Sequence, residues 1–91
     1  MLNNLHNITP PPTETHALIF AALGDETRLL LVTKLCEGTP LSISQLTGDS
    51  NLTRQAITKH LQVLKGAGIV HNIRTGRKNL FEFNPGPIEE I

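Results

Sequence analysis

The stretch that decides the fold is residues 52–61, LTRQAITKHL. Thr53 can accept a backbone hydrogen bond at the start of a helix, and Leu52 with Ile57 can form a hydrophobic staple around that cap. Ile57 and Leu61 lie four residues apart and place one apolar stripe along the helix. The helix then presents polar and basic side chains on its other side: Arg54, Gln55, Thr58, Lys59 and Gln62.

A shorter helix is predicted just before this one. Ser42 with Gln45 fits a capping box at its start, and the helix is expected to end near Gly48 or Ser50. Asn51 is predicted in the left-handed backbone conformation that a tight turn between helices requires. Two helices joined in this way form a helix-turn-helix, in which the second helix is the recognition helix.

Two apolar helices are predicted upstream. Thr13 can cap a first helix that reaches Leu23, and Asp25 can cap a second helix that Gly38 stops. Residues 17–23 are all apolar, and a helix that is apolar all round must be covered all round. One side of the first helix is therefore expected to face another copy of the chain. The residues predicted for this dimer interface are Leu18, Ile19, Phe20, Ala22 and Leu23.

Two strands are predicted downstream, at residues 69–74 and 80–83, joined by a turn at residues 75–79. Helices followed by one antiparallel hairpin predict a mainly α fold, the winged helix-turn-helix. The hairpin is the wing.

The length and composition limit the other possibilities. Ninety-one residues allow one domain, predicted at 13–87, with a flexible arm at 1–12 and a short tail at 88–91. The chain has no Trp and no Tyr, which argues against stacking single-stranded bases on aromatic side chains. No apolar run approaches the roughly 20 residues of a membrane span. The single cysteine, Cys36, is predicted as a small core residue and fits a cytoplasmic location.

Chemistry other than binding is not expected. The sequence contains no recognisable catalytic set, no glycine loop for phosphates and no metal-ligand triad. We therefore expect no enzyme activity, no cofactor and no metal site.

The charge is divided along the chain. The net charge is zero, yet residues 50–81 carry six basic side chains and no acid. This distribution favours a domain that reads double-stranded DNA, although a solvated basic surface is the simpler alternative. The six basic residues are Arg54, Lys59, Lys65, Arg74, Arg77 and Lys78.

The residue types suggest roles on DNA. Gln55 suits adenine, Arg54 suits guanine or phosphate, and the methyl group of Thr58 suits thymine. His60 lies beside Ile57, Leu61 and Leu64 on the inner edge of the predicted helix. The full predicted DNA-binding set is Ser42, Thr53, Arg54, Gln55, Thr58, Lys59, His60, Gln62, Arg74, Arg77 and Lys78.

Four motifs resemble one known family in order and spacing. Residues 23–29 (LGDETRL) resemble the L-x-D-x-T-R opening of the ArsR-type bacterial repressors, and residues 52–70 resemble their recognition helix. Residues 74–77 (RTGR) resemble their R-x-G-R wing tip, and residues 81–85 their closing strand. The resemblance implies a dimeric repressor that binds a palindromic operator and releases it when an effector arrives. It also implies a dimer formed through the first helix and a C-terminal helix.

The chain departs from the metal-sensing members of that family. Their L-C-V-C-D-L motif matches residues 41–46, which read LSISQL here. Neutral serine is a poor ligand for soft metals, so the cysteine sensor is not expected. The zinc and nickel sensors use His and carboxylate ligands on a C-terminal helix, and these 91 residues end before such a helix could complete one turn of ligands. We therefore expect either a truncated chain or a dimer that relies on the first helix. Two alternatives stay open: a winged helix that docks on proteins, and a repressor without an effector.

Overall fold

The computed structural model describes residues 14–48 and 50–90. The predicted cap Thr13 and the predicted arm at 1–12 lie outside the described residues. The elements of the described part, in chain order, are α1 (Glu14–Leu23), α2 (Glu26–Leu35), β1 (Leu41–Ser42), α3 (Ile43–Gly48), α4 (Arg54–Gly66), β2 (Val70–Thr75), β3 (Lys78–Phe83) and α5 (Gly86–Glu89). Their order confirms a mainly α winged helix-turn-helix. No helix within these residues is long and apolar enough to cross a membrane.

The core is formed by one side of each of the helices α1 to α4, together with residues of the sheet. Ile57, Leu61 and Leu64 of α4 are 0–1 % exposed, which confirms the predicted stripe. Each such side chain contributes about 1.5–3 kcal/mol when fully buried. The other fully buried large side chains are Ile19, Leu35, Leu46, Ile69 and Val70. The recognition helix is thus held along its whole length by its apolar face, which leaves the opposite face to the surroundings.

The N-cap of α2 agrees with the prediction, but the exposure of Cys36 at the C-terminal end of this helix does not. An Asp25 carboxylate oxygen accepts a hydrogen bond from the Arg28 backbone N–H at 3.0 Å. Gly38 follows the helix with φ +101°. Cys36 is exposed, so its prediction as a core residue is wrong. The buried stripe of α2 consists of Leu31, Val32 and Leu35, and Cys36 follows it as the C-cap, beyond the last helical residue that faces the core.

The capping box at α3 is confirmed. The Ser42 N–H donates to Gln45 Oε1 at 2.8 Å, and the Gln45 N–H donates to Ser42 Oγ at 3.1 Å. Thr53 caps α4 as predicted, because its Oγ1 accepts from the Ala56 N–H at 3.1 Å.

The turn between α3 and α4 differs from its prediction. Among the described residues, positive φ occurs only at glycines, so the left-handed assignment of Asn51 is wrong. A hydroxyl stabilises the turn instead. Ser50 Oγ accepts from the Leu52 N–H at 2.8 Å, and the Ser50 N–H donates to the Thr47 carbonyl at 2.9 Å. These bonds close the turn without a left-handed residue.

The wing is longer and its turn tighter than predicted. The sheet has the order β1-β3-β2, and the β2–β3 register runs to the pair Thr75 and Lys78. The turn therefore contains two residues rather than the predicted five. Gly76 has φ +60° and Arg77 has no positive φ, which is the pattern of a type II′ hairpin turn. At the other edge of β3, Leu41 of β1 pairs with Phe81 and ties the wing to the helix-turn-helix.

The described chain ends in one helical turn. α5 begins after Pro85, and Ile88 packs against the core. Asn84 fastens this segment, because its Nδ2 donates to the Gly68 carbonyl at 2.9 Å and its N–H to the Ile69 carbonyl at 2.7 Å. Residues 88 and 89, predicted for the tail, belong to this turn.

Candidate nucleic-acid interface

The exposed face of α4 carries the polar residues predicted for it. Arg54, Gln55, Lys59 and Gln62 are exposed and Thr58 is half-buried. Together these five side chains line a shallow depression on the surface. The face lies opposite the buried stripe, so it can approach a partner without disturbing the core. Its only ionic charges are positive.

Arg54 connects the two helices of the helix-turn-helix. Its Nη1 donates to Ser44 Oγ on α3 at 2.6 Å. A guanidinium has five N–H donors, so several stay available for a phosphate or a base edge. Ser44 was not predicted for this site. It is ten residues away in sequence, and only the packing of α3 on α4 brings it within reach.

Three hydroxyl groups at the interface are already partly engaged. Thr58 Oγ1 donates to the Arg54 carbonyl at 2.7 Å, which leaves its methyl group as the side chain's outward contact. Ser42 and Thr53 accept cap hydrogen bonds, and each hydroxyl retains a proton to donate. Hydroxyl donors at helix N-termini are typical contacts to DNA phosphates.

The wing carries its three cations on different sides. Arg74 lies on the same face of β2 as the buried Val70, because residues four apart in a strand share a face. Lys78 pairs with Thr75 and lies on the opposite face, and Arg77 occupies the turn. All three cations are exposed. The hairpin thus presents positive charge to both sides and at its tip.

His60 lies on the flank of α4 that faces α1 and α2, not on the exposed polar face. Its Nδ1 is 3.4 Å from Arg28 Nη1 and 3.8 Å from an Asp25 carboxylate oxygen. The hydrogen bond from the Arg28 backbone amide, with help from the Arg28 charge, holds the pKa of Asp25 below its usual value. The ring is therefore a neighbour of an ionised carboxylate and a guanidinium at a junction of three helices.

The residues predicted for the dimer interface divide into two groups. Ile19 and Ala22 are 0–1 % exposed inside the chain's own core, so their side chains leave no surface for a partner. Leu23 is half-buried and packs against the same core. Leu18 and Phe20 are each 55 % exposed. A helix that is apolar all round was expected to have a partner on one side, but the sequence did not show which side.

The described residues contain no group of three or more His, Cys, Asp and Glu that could hold a metal ion. His71 is paired across the wing, where its Nε2 lies 2.7 Å from Glu82 Oε1. Glu82, the first acid after the basic stretch of residues 50–81, is thus engaged by a histidine.

Comparisons with known proteins agree with this geometry. The model of the family described as "Bacterial regulatory protein, arsR family" matches residues 25–72. The chain is 42 % identical over 79 residues to the uncharacterized HTH-type transcriptional regulator YuzN of Bacillus subtilis (strain 168), a match that covers 80 % of this chain and 86 % of that protein.

Solved structures show the same fold. An ArsR-like transcriptional regulator from Rhodococcus sp. RHA1 superposes with a TM-score of 0.76 at 35 % identity, covering 81 % of this chain and 69 % of that one. The homodimeric winged helix-turn-helix DNA-binding domain of Mb0332 from Mycobacterium bovis superposes with a TM-score of 0.71 at 21 % identity, covering 77 % of this chain and 64 % of that one. The matched segment spans α2 to the start of the wing, and within it lies the helix-turn-helix described above. The chain belongs to the ArsR family of bacterial transcriptional regulators and carries that family's winged helix-turn-helix DNA-binding domain.

Proposed function

We propose that the protein is a homodimeric repressor that binds a palindromic operator in double-stranded DNA. The recognition helix, residues 53–65, enters the major groove, and the wing, residues 74–79, contacts the flanking backbone or minor groove. The observation that carries this proposal is the exposed face of α4, which bears Arg54, Gln55, Lys59 and Gln62 and no acid. Members of this family are transcriptional regulators, not enzymes.

We assign sequence specificity mainly to Gln55 and Thr58 on the exposed polar face of α4. Gln55 can form a bidentate hydrogen bond to adenine, and the outward methyl group of Thr58 can contact thymine. Lys59 and the hydroxyl groups of Ser42 and Thr53 contact phosphates, which position the protein without reading sequence. Arg54, held by Ser44, lies where it can reach either a guanine or a phosphate.

The wing adds affinity without sequence preference. Arg74, Arg77 and Lys78 present charge on both sides and at the tip of the hairpin. A hairpin of this kind neutralises phosphates on either wall of a groove and releases their counterions.

Dimerisation is assigned to the outer face of α1. Ala17, Leu18, Phe20 and Ala21 are exposed there, and none of them is polar. The Mycobacterium bovis relative of the same fold is homodimeric. A two-fold dimer would place its recognition helices about 34 Å apart, in successive major grooves. We extend the proposal to the cytoplasmic location expected from the sequence, because a bacterial transcriptional regulator must reach DNA in that compartment.

Selection of preferred sites from random duplex DNA tests this function. We expect a palindrome whose half-sites lie about one helical turn apart, and an affinity that falls steeply as salt rises. A reporter gene placed behind the selected site should be expressed less when the protein is present. Equal binding to all sequences at physiological salt would refute the proposal.

A protein-docking role is the second candidate, and exposed apolar residues on α2 favour it. Leu29 is 50 % and Leu30 64 % exposed. The double substitution Arg54→Glu, Lys59→Glu separates the two functions, because it should abolish DNA binding and leave a protein partner bound.

A further inference from the structure

Arg28 lies in the first turn of α2, and its side chain caps the C-terminal end of α1. Its Nε donates to the Ala22 carbonyl at 2.7 Å, and its Nη2 donates to the Ala21 carbonyl at 3.2 Å. The last carbonyls of a helix have no donor within the helix and carry partial negative charge. The guanidinium therefore supplies positive charge and two hydrogen bonds to this helix end, where the Ala21 carbonyl also accepts from the Gly24 N–H at 3.2 Å.

The same guanidinium reaches the recognition helix. Its Nη1 lies 3.4 Å from Nδ1 of His60, which is in the middle of α4. Asp25, the cap of α2, lies 3.8 Å from the same ring nitrogen. One half-buried side chain thus contacts the end of α1 and the centre of α4 while its own backbone N–H binds the cap of α2.

The geometry requires arginine rather than any cation. The three nitrogens of a guanidinium point in fixed directions in one plane, and here each nitrogen has a different partner. A lysine ammonium is a single point on a flexible stem, so it cannot hold two carbonyls of α1 and the His60 ring at fixed angles. The bonds from Arg28 have fixed directions, so they restrict the orientation of α1 against α4.

We propose that Arg28 is a positioning residue that fixes the angle between α1 and the recognition helix. The inference rests on the proposed homodimer in which α1 forms the interface. In that dimer, the angle between α1 and α4 sets the distance and rotation between the two recognition helices. Arg28 thereby determines which half-site spacing the dimer accepts, although it contacts no base.

A spacing series measures this effect. Operators are prepared from the selected half-site with spacers one and two base pairs longer or shorter than the preferred one. One base pair rotates a half-site by roughly 35° and shifts it by about 3.4 Å. We expect the wild-type protein to prefer its own spacing over the neighbouring ones by on the order of tenfold, a difference of about 1.4 kcal/mol.

The variants Arg28→Lys and His60→Ala should reduce this preference to about threefold or less. Arg28→Lys retains the charge but loses the fixed directions. His60→Ala removes the ring that lies beside Arg28 and Asp25 and leaves the two bonds from Arg28 to α1 in place. Both variants can therefore be prepared where Arg28→Ala fails to fold. Because Arg28→Lys keeps the positive charge, the slope of log affinity against log salt should stay unchanged, and a change in spacing preference is then not a change in phosphate neutralisation. In the double variant the losses should not add, since both substitutions break the same contact.

Val32→Ala is the matched control. Val32 belongs to the same helix and is 6 % exposed, and its side chain takes no part in the hydrogen bonds of Arg28, so its truncation lowers stability and leaves those bonds in place. It should lower the melting temperature and keep the spacing preference. A sharp preference in Arg28→Lys and His60→Ala, measured on protein shown to be folded by circular dichroism, would overturn the inference. A wild-type protein without any operator preference would instead overturn the proposed function.

Discussion

The helices α1 and α4 both bury a stripe of apolar side chains, but their solvent-exposed side chains are of different kinds. α1 places Ile19 and Ala22 in the core and exposes apolar Leu18 and Phe20. α4 places Ile57, Leu61 and Leu64 in the core and exposes amides and cations. The apolar outer face of α1 suits a protein surface, and the polar outer face of α4 suits DNA. One small core thus carries two chemically different outer surfaces, and the side chains that each helix exposes indicate which kind of partner it suits.

A charged substitution on the outer face of α1 should have the largest effect on operator affinity. Phe20→Glu places a charge in the proposed dimer interface, where its desolvation has no compensation. We expect a monomer in size-exclusion chromatography with light scattering. Operator affinity should fall by on the order of a hundredfold or more, because the second half-site is no longer bound at a high effective concentration.

Leu30→Glu is the control for that substitution. Leu30 is 64 % exposed, more than Phe20 at 55 %, but it lies on α2. This variant should remain dimeric and keep its operator affinity. The opposite result, a dimeric Phe20→Glu and a monomeric Leu30→Glu, would move the interface from α1 to α2.

Gln55 provides the test of the exposed polar face of α4. Gln55→Ala removes a predicted base contact from the exposed face of α4 and leaves its charge unchanged. A bidentate base contact contributes about 1–3 kcal/mol of discrimination, so operator affinity should fall roughly 5- to 150-fold while affinity for random DNA stays the same. Competition binding with operator and scrambled duplexes measures both quantities.

Val63→Ala provides the comparison on the same helix. Val63 is 45 % exposed and lies outside the depression formed by the polar side chains. Its truncation should change neither affinity. If the Gln55 variant lost operator and random binding in parallel, the residue would be a backbone contact and the reading of sequence would lie elsewhere on α4.

The parts of the fold that the sequence predicted depend on local interactions. The capping box of Ser42 and Gln45 joins residues three apart, and the buried stripe of α4 repeats every three or four residues. Such signals need no knowledge of the tertiary structure. The same holds for the caps of α2 and α4, where Asp25 and Thr53 bond to backbone groups three residues ahead.

The parts that escaped prediction depend on distant residues or on equivalent local solutions. Arg28 and His60 are 32 residues apart, and their contact exists only after three helices have packed. The turn before α4 could be closed by a left-handed Asn51 or by the Ser50 hydroxyl, and the chain uses the hydroxyl. The side of α1 that faces the core could not be chosen either, because apolar residues surround the helix and give no direction.

The smallest expected effect tests how far the DNA surface extends. Lys78→Ala removes a wing cation, and Lys65→Ala removes an equal charge from the last turn of α4, where it suits the helix dipole. If only the wing lysine contacts a phosphate, Lys78→Ala should lower the affinity for every sequence alike, several-fold at low salt. It should also reduce the slope of log affinity against log salt by about one. Lys65→Ala should leave that slope unchanged, and titrations at four or five salt concentrations resolve the difference.

An equal loss of slope in both variants would extend the DNA surface past the exposed face of α4 to its C-terminal end. The DNA backbone would then follow the groove between α4 and the wing, which Lys65 lines.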